Sequence, residues 1–408
     1  MNVNKNKEPV WMRPLKNKKP AKVFAAPEKE SPSAWKSNKR SMPMGARSRQ
    51  DSCKISEHEM LILGGWDTND KRCSDGAVYN IKTKKWWTLP YPMPAALVAC
   101  NVVATGDRHV FVVGGRKNGH KASSAVYRLS LKSWKWTTME PMDTARYGCA
   151  IALVKGYIHV FGGEGSNGRI LKSAERYSIT DGTWEYLPHM EEERKYHRAA
   201  VFGTNIVITG GACSVLVFDV VDKIWKTEAY DLYDMPGKRN GAAVVTLKDR
   251  YLVVIGGYRS EDAPDASSCL ILDVSSNYWY KTPAYMNMST PRRFHSATVL
   301  DGKIVVAGGY CKGCLSSMEY IDADTLLKQA KANEQAQDEF DCVDDEENVL
   351  KLKKLRKELI EELRHHMEMV RVRKETRKDT SREEHYVSVI LNKLEDVDRK
   401  LYKIVVNK

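Results

Sequence analysis

The 408-residue chain is 42% hydrophobic and carries a formal net charge of +13, so it is long enough for one large core with appendages. It has no apolar stretch near the ~20 residues of a membrane span, and its first residues, MNVNKNKEPVW, lack the apolar centre of a secretory signal. Nine scattered cysteines do not form the dense framework of a secreted disulfide scaffold, so reduced thiols and a cytoplasmic setting, with the nucleus open, are expected.

Taken in chain order, the charge is uneven. Residues 1–50 hold thirteen Lys and Arg against three acidic residues, whereas 51–323 hold 33 against 29 and 324–408 hold 19 against 20. The excess therefore belongs to the start of the chain. Residues 1–33, rich in Lys, Asn, Pro and Ser, read as a basic disordered arm, for which a solubilising role outweighs nucleic-acid binding.

From there to residue 323 the chain repeats. Apolar runs end in glycine pairs at Gly64–Gly65, Gly114–Gly115, Gly162–Gly163, Gly210–Gly211, Gly256–Gly257 and Gly308–Gly309, at intervals of 50, 48, 48, 46 and 52 residues. Downstream of five pairs an apolar or aromatic residue precedes a Trp by seven positions: Tyr79 and Trp86, Tyr127 and Trp134, Tyr177 and Trp184, Phe218 and Trp225, Leu272 and Trp279. Short apolar runs and turns such as Lys155–Gly156 and Asp301–Gly302 complete four strands per unit. The G-x-G-x-x-G at Gly163, Gly165 and Gly168 leads into Arg169–Ile179, which reads as a strand. It lacks the helix a dinucleotide would need.

This pattern resembles the kelch repeat over roughly residues 35 to 327. The resemblance implies an all-β, six-bladed propeller over residues 34–323. The sixth unit has Leu327 where its Trp is due, but Trp35 stands 29 residues before Gly64, as Trp279 does before Gly308. The segment around Trp35 is therefore expected to close the ring as the outer strand of the last blade.

Near the start of most units an Arg follows a Met by four: Arg146, Arg194, Arg239 and Arg292, with Arg47 similarly placed ahead of the first blade. Tyr147, Tyr196 and Arg293 are their neighbours. Guanidinium groups beside aromatic rings suit an acidic or phosphorylated partner, which makes these eight residues the candidate binding face. The alternative is that each Arg hydrogen-bonds the adjoining blade.

Catalytic and metal constellations are poor. Cys311 and Cys314 form a C-x-x-C without a second ligand pair. Glu261, Asp265 and Cys269 echo the iron motif of the plant nitrile-specifier kelch proteins with Cys in place of His. No cofactor is expected and no enzyme activity assigned.

From Asp324 to Lys408 there is neither Pro nor Gly, and a helical extension is predicted. Leu352, Leu355, Leu359, Leu363, Met367 and Val370 form one apolar stripe. Val387, Ile390, Leu394, Val397, Leu401 and Ile404 form a heptad seam, expected to pair with a second copy, with packing between the two helices as competitor.

The resemblance implies a protein-interaction module. A cytoskeletal or polarity scaffold, multimerised by its tail, is the leading reading. A ubiquitin-ligase substrate receptor is the alternative, set back because the fifty residues before the blades could not hold a BTB-like domain. A kelch-like isomerase or metal-dependent enzyme comes third.

Overall fold

Each apolar run that ends in a glycine pair becomes the second strand of a four-stranded antiparallel sheet, and six such sheets form the blades of a propeller. The computed structural model describes residues 34–38, 40–118, 121–226, 234–260 and 263–332, with helical residues between 355 and 397. The expected basic arm (1–33), Glu261, Leu352, Leu401 and Ile404 lie outside the described residues.

Strand β1 (Lys36–Ser37) comes first in the chain but belongs to the last blade. Blade 1 is β2 (Asp51–Ser56), β3 (Glu59–Leu63), β4 (Gly76–Asn80) and β5 (Lys85–Thr88). Blade 2 is β6 (Asn101–Thr105), β7 (His109–Val113), β8 (Val126–Ser130) and β9 (Trp136–Met139). Blade 3 is β10 (Ala150–Val154), β11 (Tyr157–Phe161), β12 (Ala174–Ser178) and β13 (Trp184–Leu187). Blade 4 is β14 (Arg198–Phe202), β15 (Asn205–Thr209), β16 (Leu216–Asp219) and β17 (Ile224–Lys226). Blade 5 is β18 (Ala243–Leu247), β19 (Tyr251–Ile255), β20 (Cys269–Asp273) and β21 (Tyr278–Lys281). Blade 6 is β22 (Ser296–Leu300), β23 (Lys303–Ala307) and β24 (Met318–Asp322), with β1 on its outer edge, Lys36 opposite Tyr320 and Ser37 opposite Glu319. The ring closes as the position of Trp35 predicts.

The seven-residue spacing is a cross-strand register. Tyr79 faces Trp86, Tyr177 faces Trp184, Phe218 faces Trp225 and Leu272 faces Trp279 on the outer hairpins. Blade 2 departs from it: Tyr127 faces Thr138, Trp136 faces Leu129, and Trp134 sits in the turn at φ 58°. The indole N–H of Trp136, Trp184 and Trp225 donates to a carbonyl of the connection entering its own blade, at Tyr91, Glu140 and Pro188. Trp35 does the same for blade 6 through Met286, at 2.8 Å. A residue 251 positions away in sequence thus supplies the missing repeat Trp.

Glycine is required where blades meet. At Gly114, φ is +64° and a Cβ would lie 2.5 Å from the Arg146 carbonyl; at Gly115, φ is +105° and a Cβ would lie 2.9 Å from that of Cys100. Neither conformation nor space admits a side chain, which is why the pair recurs at each strand end.

The start of the expected extension packs on the propeller. In helix α1 (Ala323–Ala332), Leu326, Leu327 and Ala330 are buried in one cluster with Trp35, Tyr251, Tyr280 and Ile304. Asp322 caps the helix by accepting the Thr325 N–H at 2.8 Å, and Lys331 donates to the Tyr251 hydroxyl at 2.6 Å. Farther on, the seam residues Ile390, Leu394 and Val397 pack with Leu359 and Leu363 of the first stripe. Among the described residues, this part of the seam thus packs on the chain's own first stripe.

Candidate functional site

Around the axis the chain makes a closed circle of backbone hydrogen bonds. Two residues past the arginine position of each unit stands a residue with positive φ: Arg49, Ala99, Gly148, Tyr196, Gly241 and Phe294. Each donates its N–H to the carbonyl of the one before, at 2.7–3.1 Å, and Arg49 completes the circle by donating to Phe294. Three of their side chains fill the mouth of the axial channel. The Arg49 guanidinium lies 4.2 Å from the centre of the Phe294 ring and 5.9 Å from that of Tyr196, and these two rings meet edge-on at 4.9 Å. Behind this plug is a cavity of about 140 Å³ that Arg198 and Asp51 share as an ion pair at 3.4 Å.

The repeated arginines lie beneath the face. Arg146 is fully buried, donating to the carbonyls of Gly162 and Ser173 and to Glu175 at 2.8 Å, itself fully buried. Arg292 repeats this with Gly308, Ser317 and Glu319, the last at 2.5 Å. Arg47 reaches the Gly64 carbonyl and grips Asp75 with both nitrogens, at 2.6 and 2.7 Å. Arg194 holds the Ser214 carbonyl and Glu192. Arg239, half-buried, donates to Gly256 O and Ser268 Oγ; burial brings its pKa down to about 10, with no carboxylate partner among the described residues. The expectation that these five arginines meet a partner is therefore corrected. Each reaches across to carbonyls and hydroxyls at the strand ends of its own blade, and Arg47, Arg146, Arg194 and Arg292 are buried there.

Tyr196 and Arg293 are partly exposed beside this circle and Tyr147 is buried next to them, joined by residues that sequence reasoning missed. The residue after five of the six glycine pairs bridges back to the residue after the arginine position: Trp66 to Ser48, Arg116 to Val98, Glu164 to Tyr147, Tyr258 to Asn240, Tyr310 to Arg293. Trp66, Arg116, Glu164, Tyr258 and Tyr310 thereby point their side chains beside the plug. Their signal was in the sequence, one position past a landmark already found, but their varied identity hid it. Arg293 lies over Tyr258 at 4.7 Å and Tyr310 at 5.0 Å; Arg116 lies over Tyr147 at 5.4 Å. Two carboxylates occur here and both are engaged. Glu164 is paired with Lys195 at 2.7 Å; burial works against its charge, but Lys195 and the Tyr147 hydroxyl hold its pKa below the usual range. Asp265 stands 3.5 Å from Arg293, its pKa raised by burial.

The metal reading finds no gathered ligands among the described residues. Cys269 is buried in β20 within the blade 5 core, and burial pushes its thiol up to about 12, so it does not join Asp265 as an exposed ligand. Cys314 lies under Trp66, its Sγ 3.5 Å from that residue's carbonyl.

Residues 50–227 and 196–337 match the KLHDC2/KLHL20/DRC7 Kelch-repeats domain. The chain belongs to the kelch-repeat family. It is similar to Kelch-like protein 38 of Rattus norvegicus, 28% identical over 260 residues that cover 61% of this chain and 42% of that protein. It is also similar to human Kelch-like protein 15, 26% identical over 255 residues, covering 56% of this chain and 41% of the relative. The chain thus spans less than half the length of these curated relatives, and what it shares with them is the kelch propeller. Among the described residues no helix is long and apolar enough to cross a membrane.

Proposed function

We propose that this kelch propeller is a protein-interaction module that holds an acidic or phosphorylated segment of its partner on the glycine-pair face, in a scaffolding role. One observation carries the reading. Arg49, Arg72, Arg116, Lys195 and Arg293 stand among the rings of Trp66, Tyr147, Tyr196, Tyr258, Phe294 and Tyr310, while among the described residues the neighbouring carboxylates are Glu164 and Asp265, both paired, and Asp67, which turns into its own loop. Such a surface is short of acceptors and rich in planar donors, and aromatic and arginine side chains are the residues that anchor protein partners. The plugged mouth makes it a continuous surface and not a channel entrance.

Reversing Arg116 and Arg293 to Glu together should abolish capture of the physiological partner, while reversing Lys82 and Lys132, exposed in turns at the opposite ends of the strands, should leave it intact. Equal capture by the first variant and wild type would place the binding surface elsewhere.

A further inference from the structure

Three guanidinium groups surround one indole on this face. The centre of the Trp66 ring lies 5.4 Å from the Arg72 guanidinium, 5.5 Å from that of Arg49 and 5.9 Å from that of Arg116. Like charges gathered about one ring repel each other: burial, then the nearby Arg116, both lower the pKa of Arg72. Yet among the described residues none of the three has an ion pair, and of their guanidinium groups only that of Arg72 donates a hydrogen bond, to Asn118 Oδ1 at 3.3 Å. The Nε atoms of Arg49, Arg72 and Arg116 and the Nε1 of Trp66 have no hydrogen-bond partner among the described residues. The neighbouring carboxylates do not fill the gap. Asp67 turns its Oδ1 into its own loop, accepting the N–H of Asn69 at 2.8 Å and of Lys71 at 2.9 Å, and Glu164 is held by Lys195.

Three guanidinium groups about one indole, with no ion pair among the described residues, form a site lacking its counter-charge. We propose that Arg49, Arg72, Arg116 and Trp66 form one seat for an oxyanion, the carboxylate or phosphoryl group that anchors the acidic segment. This rests on the reading of the face given above and narrows it to one junction, between blades 1 and 2. The free Nε edge of a guanidinium is the side that takes a carboxylate or phosphate in a two-point grip, and the indole N–H adds a donor that no aliphatic floor would supply.

The test uses the full chain and two fluorescein-labelled peptides, hexaglutamate and a Gly/Ser peptide bearing three phosphoserines, followed by fluorescence anisotropy at low salt. The variant is Arg72→Gln with Arg116→Gln, and the control is Lys82→Gln with Lys132→Gln, which removes equal charge at the far end of the strands. At least a tenfold loss of affinity for either peptide in the first variant, and less than twofold in the control, supports the seat; the peptide that responds identifies carboxylate or phosphoryl as its occupant. Should the double variant fail to fold, Trp66→Phe removes the indole N–H donor and shrinks the ring beneath the three guanidinium groups, and is expected to weaken binding about threefold. Peptides that bind wild type and the double variant equally overturn the seat while leaving the face reading in place. A wild-type chain that binds neither peptide overturns both.

Discussion

The indole N–H of Trp35 donates to the backbone carbonyl of Met286 at 2.8 Å, joining positions 251 residues apart. Trp35 is 3% exposed and shares its cluster with residues of blades 5 and 6 and of helix α1. The two ends of the ring are thus held by the same bond that Trp136, Trp184 and Trp225 make locally.

Trp35→Ala should therefore cost about 3–5 kcal/mol, the range for truncating a buried aromatic residue. Trp87→Ala, at a half-exposed position on β5, should cost far less. Urea denaturation of both variants checks the contrast, and equal midpoints would show that closure does not depend on Trp35.

Ending the chain after Asp322 removes α1, and with it two buried leucines, Leu326 and Leu327, worth roughly 1.5–3 kcal/mol each. Ending it after Ala332 keeps them. The shorter chain should unfold at clearly lower temperature in calorimetry; the domain limit drawn at residue 323 from sequence would predict no difference.

The buried pair Arg146–Glu175 is both strut and liability. Glu175→Ala leaves Arg146 buried without its counter-charge and should destabilise by about 3–5 kcal/mol. Glu57→Ala, which breaks the exposed pair with Lys54, should leave the denaturation midpoint unmoved.

His159, His197 and His295 are buried, and burial followed by a neighbouring arginine lowers their pKa values, to about 4 for His159 and about 3 for His197. The unfolded chain takes up their protons near pH 6.5, the folded chain only well below it. Their contribution to stability is thus complete above pH 6.5 and is lost as pH falls toward 4, amounting to about 3 kcal/mol for His159. Denaturation midpoints should drop across pH 6.5 to 4.5, and His159→Gln should flatten that slope; a profile as steep as wild type would refute the assignment.

Gly256→Ala sets a Cβ 2.5 Å from the Arg292 carbonyl at φ +62° and should cost several kcal/mol, whereas at Gly106 a Cβ meets nothing within 4 Å and the substitution should be neutral. Thermal midpoints of the two alanine variants decide it.

The repeat, the number of blades, the closing strand and the role of the glycine pairs were legible in the chain alone, because each leaves a mark at a fixed interval: a left-handed backbone tolerates glycine, and a cross-strand partner of Trp recurs seven positions away. The candidate face was legible only in part. Arg47, Arg146, Arg194, Arg239 and Arg292 recur for the same reason the glycines do, as structural parts of every blade, whereas Trp66, Arg72 and Arg116 differ from unit to unit and carry no period. Periodicity marks what every blade needs in order to pack. Which arginines are tied to strand ends and which stand about the Trp66 ring depends on distances between residues remote in sequence, and those were decided by tertiary structure alone.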